Sequence, residues 1–376
     1  MSRIRYRGIP FFISLFVFLF FVSLEFFAIV KLNNGNFTYT LDDPYIHLAL
    51  SENLLHGHYG VNANEFSSPS SSILWPVILA PFSSFVMSPF VMNIIFAVIV
   101  IYLFILFVER ALAIDGDIKI ILLTLFSVLF IFATNLIGLI FTGMEHPLQI
   151  LFVMLIAYFM LYGKGDNKSE NWLVLFTVTA PLIRYENLAI SFVAILFMLL
   201  YRKYKKAILS AAIIVLTMGL FSVFLMTMGL KALPSSVLAK SSVLSHDTLF
   251  MPFARNIGRT LLFPRGIIIA LSFVSYVLFM LFRQLDKDRM RIMSVTSVGL
   301  VLHMLFGTYG WYNRYEIYIW TFFIMMSIHL IAPSIVTLVK SRKNNSYKIM
   351  LFAVMITTAS CTQYVHDLYS LPVGSN

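Results

Sequence analysis

The stretch Ile73-Leu74-Trp75-Pro76-Val77-Ile78-Leu79-Ala80-Pro81-Phe82-Ser83-Ser84-Phe85-Val86-Met87 is apolar enough to cross a membrane. Pro76 and Pro81 interrupt it, and Ser88-Pro89 closes it. Proline inside a helix removes a backbone donor and clashes with the preceding turn. The segment is therefore either a broken span or a piece lying along the interface. The choice decides the fold, because it sets which side of the membrane every later loop occupies.

Composition establishes that a membrane is involved. Of 376 residues, 60% are hydrophobic and only 12% charged, so a soluble domain of this size would expose an apolar surface. Apolar runs of about 20 residues recur between short polar stretches, the pattern of a polytopic helical protein. Candidate spans lie at 10–30, 89–108, 119–138, 148–162, 172–183, 187–201, 207–230, 265–282, 291–308, 316–338 and 348–362.

Charge settles the reading of 73–87. If it lies along the interface, about 19 of the 27 Lys and Arg residues fall on the cytoplasmic side. If it crosses, all but Arg3, Arg5 and Arg7 of that set move outside, against the positive-inside rule. The expectation is an all-α polytopic membrane protein of about eleven spans, forming one transmembrane domain over 1–376 with no soluble C-terminal domain. The N-terminus is cytoplasmic, and the first run, too long for a signal peptide and lacking a cleavage site, is an uncleaved span. The short segments 172–183 and 187–201 tilt or partly re-enter around Arg184-Tyr185-Glu186. The net charge of +10 follows from topology and does not imply nucleic acid. The single cysteine, Cys361, forms no intrachain disulfide.

Two sizeable outside loops result, about 31–88 and 231–264. The first opens on Thr40-Leu41-Asp42-Asp43-Pro44-Tyr45-Ile46-His47. Asp43-Pro44 reads as a helix start, Asp at the N-cap and Pro at N1, with the helix running to about Leu55 and stopped by Gly57 and Gly60. Capping accounts for Asp43 but not Asp42. A carboxylate beside a helix N-terminus stays ionised and can act as a general base. His47, one turn on, faces the same side as Asp43.

Other ionisable residues fall at outside ends of spans, where charge is costly unless paired or functional. They include Glu145 in Thr142-Gly143-Met144-Glu145-His146-Pro147, the Arg184/Glu186 pair, Lys240 after Leu233-Pro234-Ser235-Ser236, and Arg314 in Tyr312-Asn313-Arg314-Tyr315-Glu316. Arg184 and Glu186 could simply pair with each other, and Arg314 could be an aromatic-flanked interfacial anchor. Glu25, inside the first span, could bind a ligand or pair with a neighbouring helix, and pairing is the expectation. Arg184, Lys240, Arg255, Arg259, Arg265 and Arg314 remain outside against the topological bias, which suggests an anionic ligand such as phosphate. A base plus outward cations fits displacement of a lipid phosphate from a sugar carbon.

The run Leu41–Ala49, then Glu52-Asn53-Leu54, Gly57-His58-Tyr59-Gly60 and Ser68-Pro69-Ser70-Ser71-Ser72-Ile73-Leu74-Trp75-Pro76, resembles the first lumenal loop of GT-C-fold polyprenyl-phosphate-dependent glycosyltransferases. The arabinofuranosyltransferase-like branch is the nearest in pattern. Thr142–Glu145, Leu182–Glu186, Leu233–Ser236 with Ala239-Lys240, and Asn313–Tyr315 resemble later landmarks in the same order. One departure is Arg184-Tyr185-Glu186-Asn187, where that family often has Arg-Pro-Glu-Gly. The resemblance implies a GT-C fold in the bacterial inner membrane, with a large first periplasmic loop carrying juxtamembrane helices. It implies inverting transfer on the periplasmic face from an undecaprenyl or decaprenyl phosphate sugar to a cell-envelope glycan or lipid acceptor. Asp42 is then the catalytic acid of the Asp42/Asp43 pair, and His47, Glu145, Arg184, Glu186, Lys240 and Arg314 are candidate substrate contacts. No metal site is expected, although two adjacent carboxylates could ligate Mg²⁺ or Mn²⁺. The alternative is a transporter or flippase of a lipid-linked glycan. That class usually places ionisable groups near the midplane, in repeated halves.

Overall fold

The computed structural model describes residues 2–240, 251–310 and 312–340, without the side chains of 2–6, 239, 240, 338 and 340. The expected span 348–362 and Cys361 lie outside the described residues. Among those described, the chain is all-helical with no strand. In chain order the helices are α1 (Ser2–Leu32), α2 (Asp43–Leu55), α3 (Leu74–Leu79), α4 (Ser88–Leu112), α5 (Asp117–Ala133), α6 (Leu136–Phe141), α7 (His146–Tyr162) and α8 (Asn167–Ile183). They continue as α9 (Leu188–Leu200), α10 (Tyr204–Thr227), α11 (Ser235–Lys240), α12 (Met251–Thr260), α13 (Pro264–Phe282), α14 (Lys287–Phe306) and α15 (Ile317–Lys340). Six of these, α1, α4, α10, α13, α14 and α15, contain stretches long and apolar enough to cross a membrane.

The deciding stretch does not make a span. It forms α3 and a 3₁₀ turn, Ala80–Phe82, before α4 begins at Ser88. Six helical residues rise only about 9 Å, against a hydrocarbon core of about 30 Å. Pro76 falls within the first turn of α3, where its missing N–H would have had no intrahelical partner. At its start, Ile73 N–H donates to the Leu182 carbonyl at 2.9 Å.

Two compact units divide the chain, one of residues 1–42, 90–147 and 327–376, the other of 43–89 and 148–326. In the first, α1 packs on α5. Its buried stripe is Ser14, Phe18, Val22, Glu25 and Ile29, while Phe12, Phe16, Phe20, Leu24 and Phe27 stay exposed. That division is the one expected of a helix with one face on protein and one on lipid. Ser14 and Ser127 hydroxyls hydrogen-bond across the interface, and Phe104 stacks on Phe130 at 3.9 Å. The expected span 119–138 is corrected here. The helix stops at Ala133, because Asn135 takes a left-handed conformation (φ 50°), and α6 starts anew at Leu136. Asn is among the few side chains that adopt that region readily. Both carboxylate oxygens of Glu25 are buried, and among the described residues neither has a hydrogen-bond partner, so the expected pairing with a neighbouring helix is not seen there.

In the second unit α14 packs against α9 and α13, and α10 against α8 and α9. Gly299 allows the close approach, since a Cβ there would sit 3.2 Å from Ile319 and 3.4 Å from Val193. The helix expected over 172–183 starts earlier, at Asn167, because Asp166 caps it by accepting from the Ser169 amide at 3.0 Å. The loops of this unit sort into two ends. One joins segments 163–170, 201–206 and 286–291 through Lys164–Asp288 (2.6 Å), Lys203–Glu170 (2.6 Å) and Lys206–Glu170 (2.8 Å). The other joins Asp43 to Arg314, Ser68 to Ser235 and Ile73 to Leu182. These two sets are the ones that the positive-inside expectation puts on opposite sides.

Candidate functional site

At the end that carries Asp43, several arginines are buried and face carboxylates. Asp43 begins α2, and its Oδ2 accepts from Arg314 Nη1 at 2.9 Å. Arg314 is 5% exposed, so it is no interfacial anchor; it is a buried cation held by a carboxylate. Its Nη2 donates to the Tyr315 hydroxyl at 3.2 Å, and its guanidinium lies 5.0 Å from that ring's centre. The Nε of Arg314 is buried and, among the described residues, has no hydrogen-bond partner. Asp43 therefore does more than start a helix: it ties α2 to the loop before α15.

The same loop makes a second junction. Arg265, at the start of α13, donates to the Asn313 carbonyl at 3.3 Å and sits 3.7 Å from Glu316. Glu316 is fully buried, as are His303 on α14 and Tyr318 on α15, which share a 2.8 Å hydrogen bond. Tyr309 stacks on Phe263 and meets His303 edge-on. Burial pushes the Tyr309 phenol well above its ordinary value, so it stays neutral. Arg184 is buried and bound by Glu186, two residues on, through Nη2 at 2.8 Å and Nε at 3.2 Å. Glu186 is close enough to act electrostatically on His303 and Tyr318.

The first outside loop is seated by apolar contacts. Tyr59 is buried with Leu50 and Leu225, against Leu54, Phe221 and Met228. Asn53 closes the turn after α2 by donating to the carbonyls of Gly60 (2.7 Å) and Val61 (3.0 Å). Gly57 has φ +74°, a conformation that suits glycine.

The predicted site residues thus divide. Asp43, His47, Arg184, Glu186 and Arg314 belong to the second unit, and the ion pairs Asp43–Arg314 and Arg184–Glu186 are formed there. His47 is buried on α2. Asp42 and Glu145 belong to the first unit; Asp42 is exposed and Glu145 fully buried. Lys240 ends α11, but its side chain lies outside the described residues. The expectation of an open group of cations is modified: Arg184, Arg265 and Arg314 each face a carboxylate, while Arg255 and Arg259 lie exposed, one turn apart on α12. Sequence reasoning passed over Glu316, His303 and Tyr318. The signal for His303 was present, since an ionisable residue within an apolar span is itself a flag.

Mg²⁺ or Mn²⁺ asks for several oxygen ligands, whereas one Asp43 oxygen is engaged by Arg314. Among the described residues no three His, Cys, Asp or Glu side chains come together. No family model, curated protein or solved structure matches this chain.

Proposed function

We propose that the chain is a GT-C-type membrane glycosyltransferase of about eleven spans that takes its sugar from a polyprenyl-phosphate donor. It passes the sugar to a cell-envelope glycan or lipid acceptor on the periplasmic face, with inversion. The observation that carries the reading is the Asp43–Arg314 pair. A carboxylate at the first turn of α2 is fixed by a buried guanidinium whose Nε has no hydrogen-bond partner among the described residues. Asp42 adjoins that fixed point through one peptide bond and stays exposed.

The chemistry then divides as follows. Asp42 removes the proton from the acceptor hydroxyl, whose oxygen attacks the anomeric carbon. The bond to the donor phosphate breaks, and the phosphate leaves as an anion. Arg314, held against Asp43 at the start of α2, is the cation proposed to receive its charge. Arg184 and Arg265, bound to Glu186 and Glu316, hold the surrounding loops.

The test uses the full chain in membrane vesicles with a panel of radiolabelled polyprenyl-phosphate sugars. Asp42→Asn is expected to lower transfer by about 10²–10⁴-fold, the usual range for a general base, with unchanged membrane insertion. Undiminished transfer in that variant removes Asp42 from the mechanism. One observation favours the transporter reading: Glu25, buried within the first span and without a hydrogen-bond partner among the described residues, is the type of group that relays protons in pumps. Proton-coupled uptake by vesicles, lost in Glu25→Gln and intact in Asp42→Asn, is the result that reading requires.

A further inference from the structure

The opposite end of the second unit contains a pocket that the proposed transferase chemistry does not use. It lies where α7 ends, α8 begins, α9 ends and α10 begins, with a volume of about 160 Å³. Phe159, Leu173, Phe197 and Met198 make its apolar wall, and Lys164, Lys203 and Lys206 stand around its mouth. We propose that this pocket binds the phosphate headgroup and first acyl carbons of an anionic phospholipid in the leaflet on the basic side of the membrane.

Charge complementarity selects the headgroup. Lys203 and Lys206 share the single carboxylate of Glu170, at 2.6 and 2.8 Å. Lys164 is 2.6 Å from Asp288, whose other oxygen accepts from the Tyr201 hydroxyl at 2.6 Å. Arg291 lies over the Tyr201 ring, 4.7 Å from its centre. Four cations thus surround two carboxylates. Over segments 163–170, 201–206 and 286–291 as a whole there are nine Lys and Arg against four Asp and Glu. That surplus matches a phosphodiester, and basic pockets between helices on the cytoplasmic side are a known way of holding such groups.

Position and size select a lipid over a soluble phosphate compound. Lys203 and Lys206 flank the start of the apolar stretch of α10, Tyr204–Thr227. Trp172 and Tyr204 are both exposed at this end, as expected of rings in the interfacial belt. The wall is apolar, which a free phosphate cannot use and an acyl chain can. The volume also falls below the roughly 300–1,000 Å³ of sites that enclose a cofactor or drug-sized ligand.

The test takes the purified full-length protein through delipidation into a neutral detergent. Phosphatidylglycerol or phosphatidylcholine is then added, and retained lipid is counted by native mass spectrometry. Phosphatidylglycerol retention is expected to fall about thirtyfold in the double variant Lys203→Gln/Lys206→Gln, from two lost headgroup charges. Arg283→Gln, an exposed basic residue at the same end, should leave it unchanged. Leu173→Phe keeps every charge, narrows the wall and should also lower retention; monodispersity and thermal midpoint show that each variant folds. Equal retention of the two lipids, or an equal fall in Arg283→Gln, overturns the proposal. Displacement of bound lipid by millimolar inorganic phosphate overturns it too, in favour of a soluble anion. None of these readouts involves sugar transfer, so the proposal stands or falls apart from the transferase reading.

Discussion

The two ends of the second unit use charge in opposite ways. At the Asp43 end three cations, Arg184, Arg265 and Arg314, are buried and each faces one carboxylate. At the Glu170 end they are mostly lysines, partly solvated and more numerous than the acids. A planar guanidinium that cannot lose its proton suits fixed, desolvated geometry, while a hydrated ammonium on a flexible stem suits an open surface. The first end therefore holds loops in register, and the second presents partly solvated surplus charge. Removing a partner from a buried pair leaves an uncompensated charge, whereas an exposed pair is worth little. The ends should differ accordingly in how much one substitution costs.

The largest effect is expected at Arg314. Arg314→Gln leaves Asp43 without its ion-pair partner and frees the start of α2, at a cost of about 2–3 kcal/mol, below the fully buried range because Asp43 is part-exposed. A double-mutant cycle with Asp43→Asn, read from denaturation in mixed micelles, should show coupling of at least about 1 kcal/mol. Additive losses would mean that the two ends do not differ in kind.

Much of this contrast was legible in the sequence, and the illegible part has a physical cause. The apolar runs and their basic flanks identify helices and place Lys164, Lys203 and Lys206 at one end, because hydropathy and topological bias are local properties of the chain. The prolines in 73–87 correctly argue against a span. The break at Asn135 was not visible, since a single left-handed residue leaves the apolar run uninterrupted. Arg314 is flanked by aromatics, which is also the pattern of an interfacial anchor. Only its contact with Asp43, 271 residues away in the chain, distinguishes a buried partner from an anchor. Glu25 shows the converse: apolar neighbours reveal its depth but not whether a partner awaits it.

A middle-sized effect is expected at Glu316. It faces Arg265 across 3.7 Å, too long for a hydrogen bond, so the interaction is mainly coulombic. Glu316→Gln keeps the shape and removes the charge, leaving Arg265 held by the Asn313 carbonyl. A loss of about 1–2 kcal/mol is expected, seen as a lower thermal midpoint with little dependence on added salt. Strong salt dependence would place this pair with the solvated charges of the other end.

The smallest effect, and the one that tests the lysine-rich end directly, is the pH response of Glu170. Its partial burial works to raise the carboxyl, but hydrogen bonds from Lys203 and Lys206 outweigh this and hold it below its ordinary value. A carboxyl depressed in the folded state stabilises above its unfolded value, and that stability is lost as pH falls through the folded value. Wild type should thus exceed Glu170→Gln in thermal midpoint near neutral pH by the equivalent of less than about 1 kcal/mol. The difference should shrink once pH drops below about 4, where an unperturbed Glu takes up its proton. Because two lysines share this one acid, raising ionic strength should narrow the gap at neutral pH as well. A gap as large as that of Arg314→Gln, or one indifferent to salt, would show that the lysines are buried partners of Glu170 and leave no surplus charge for a headgroup.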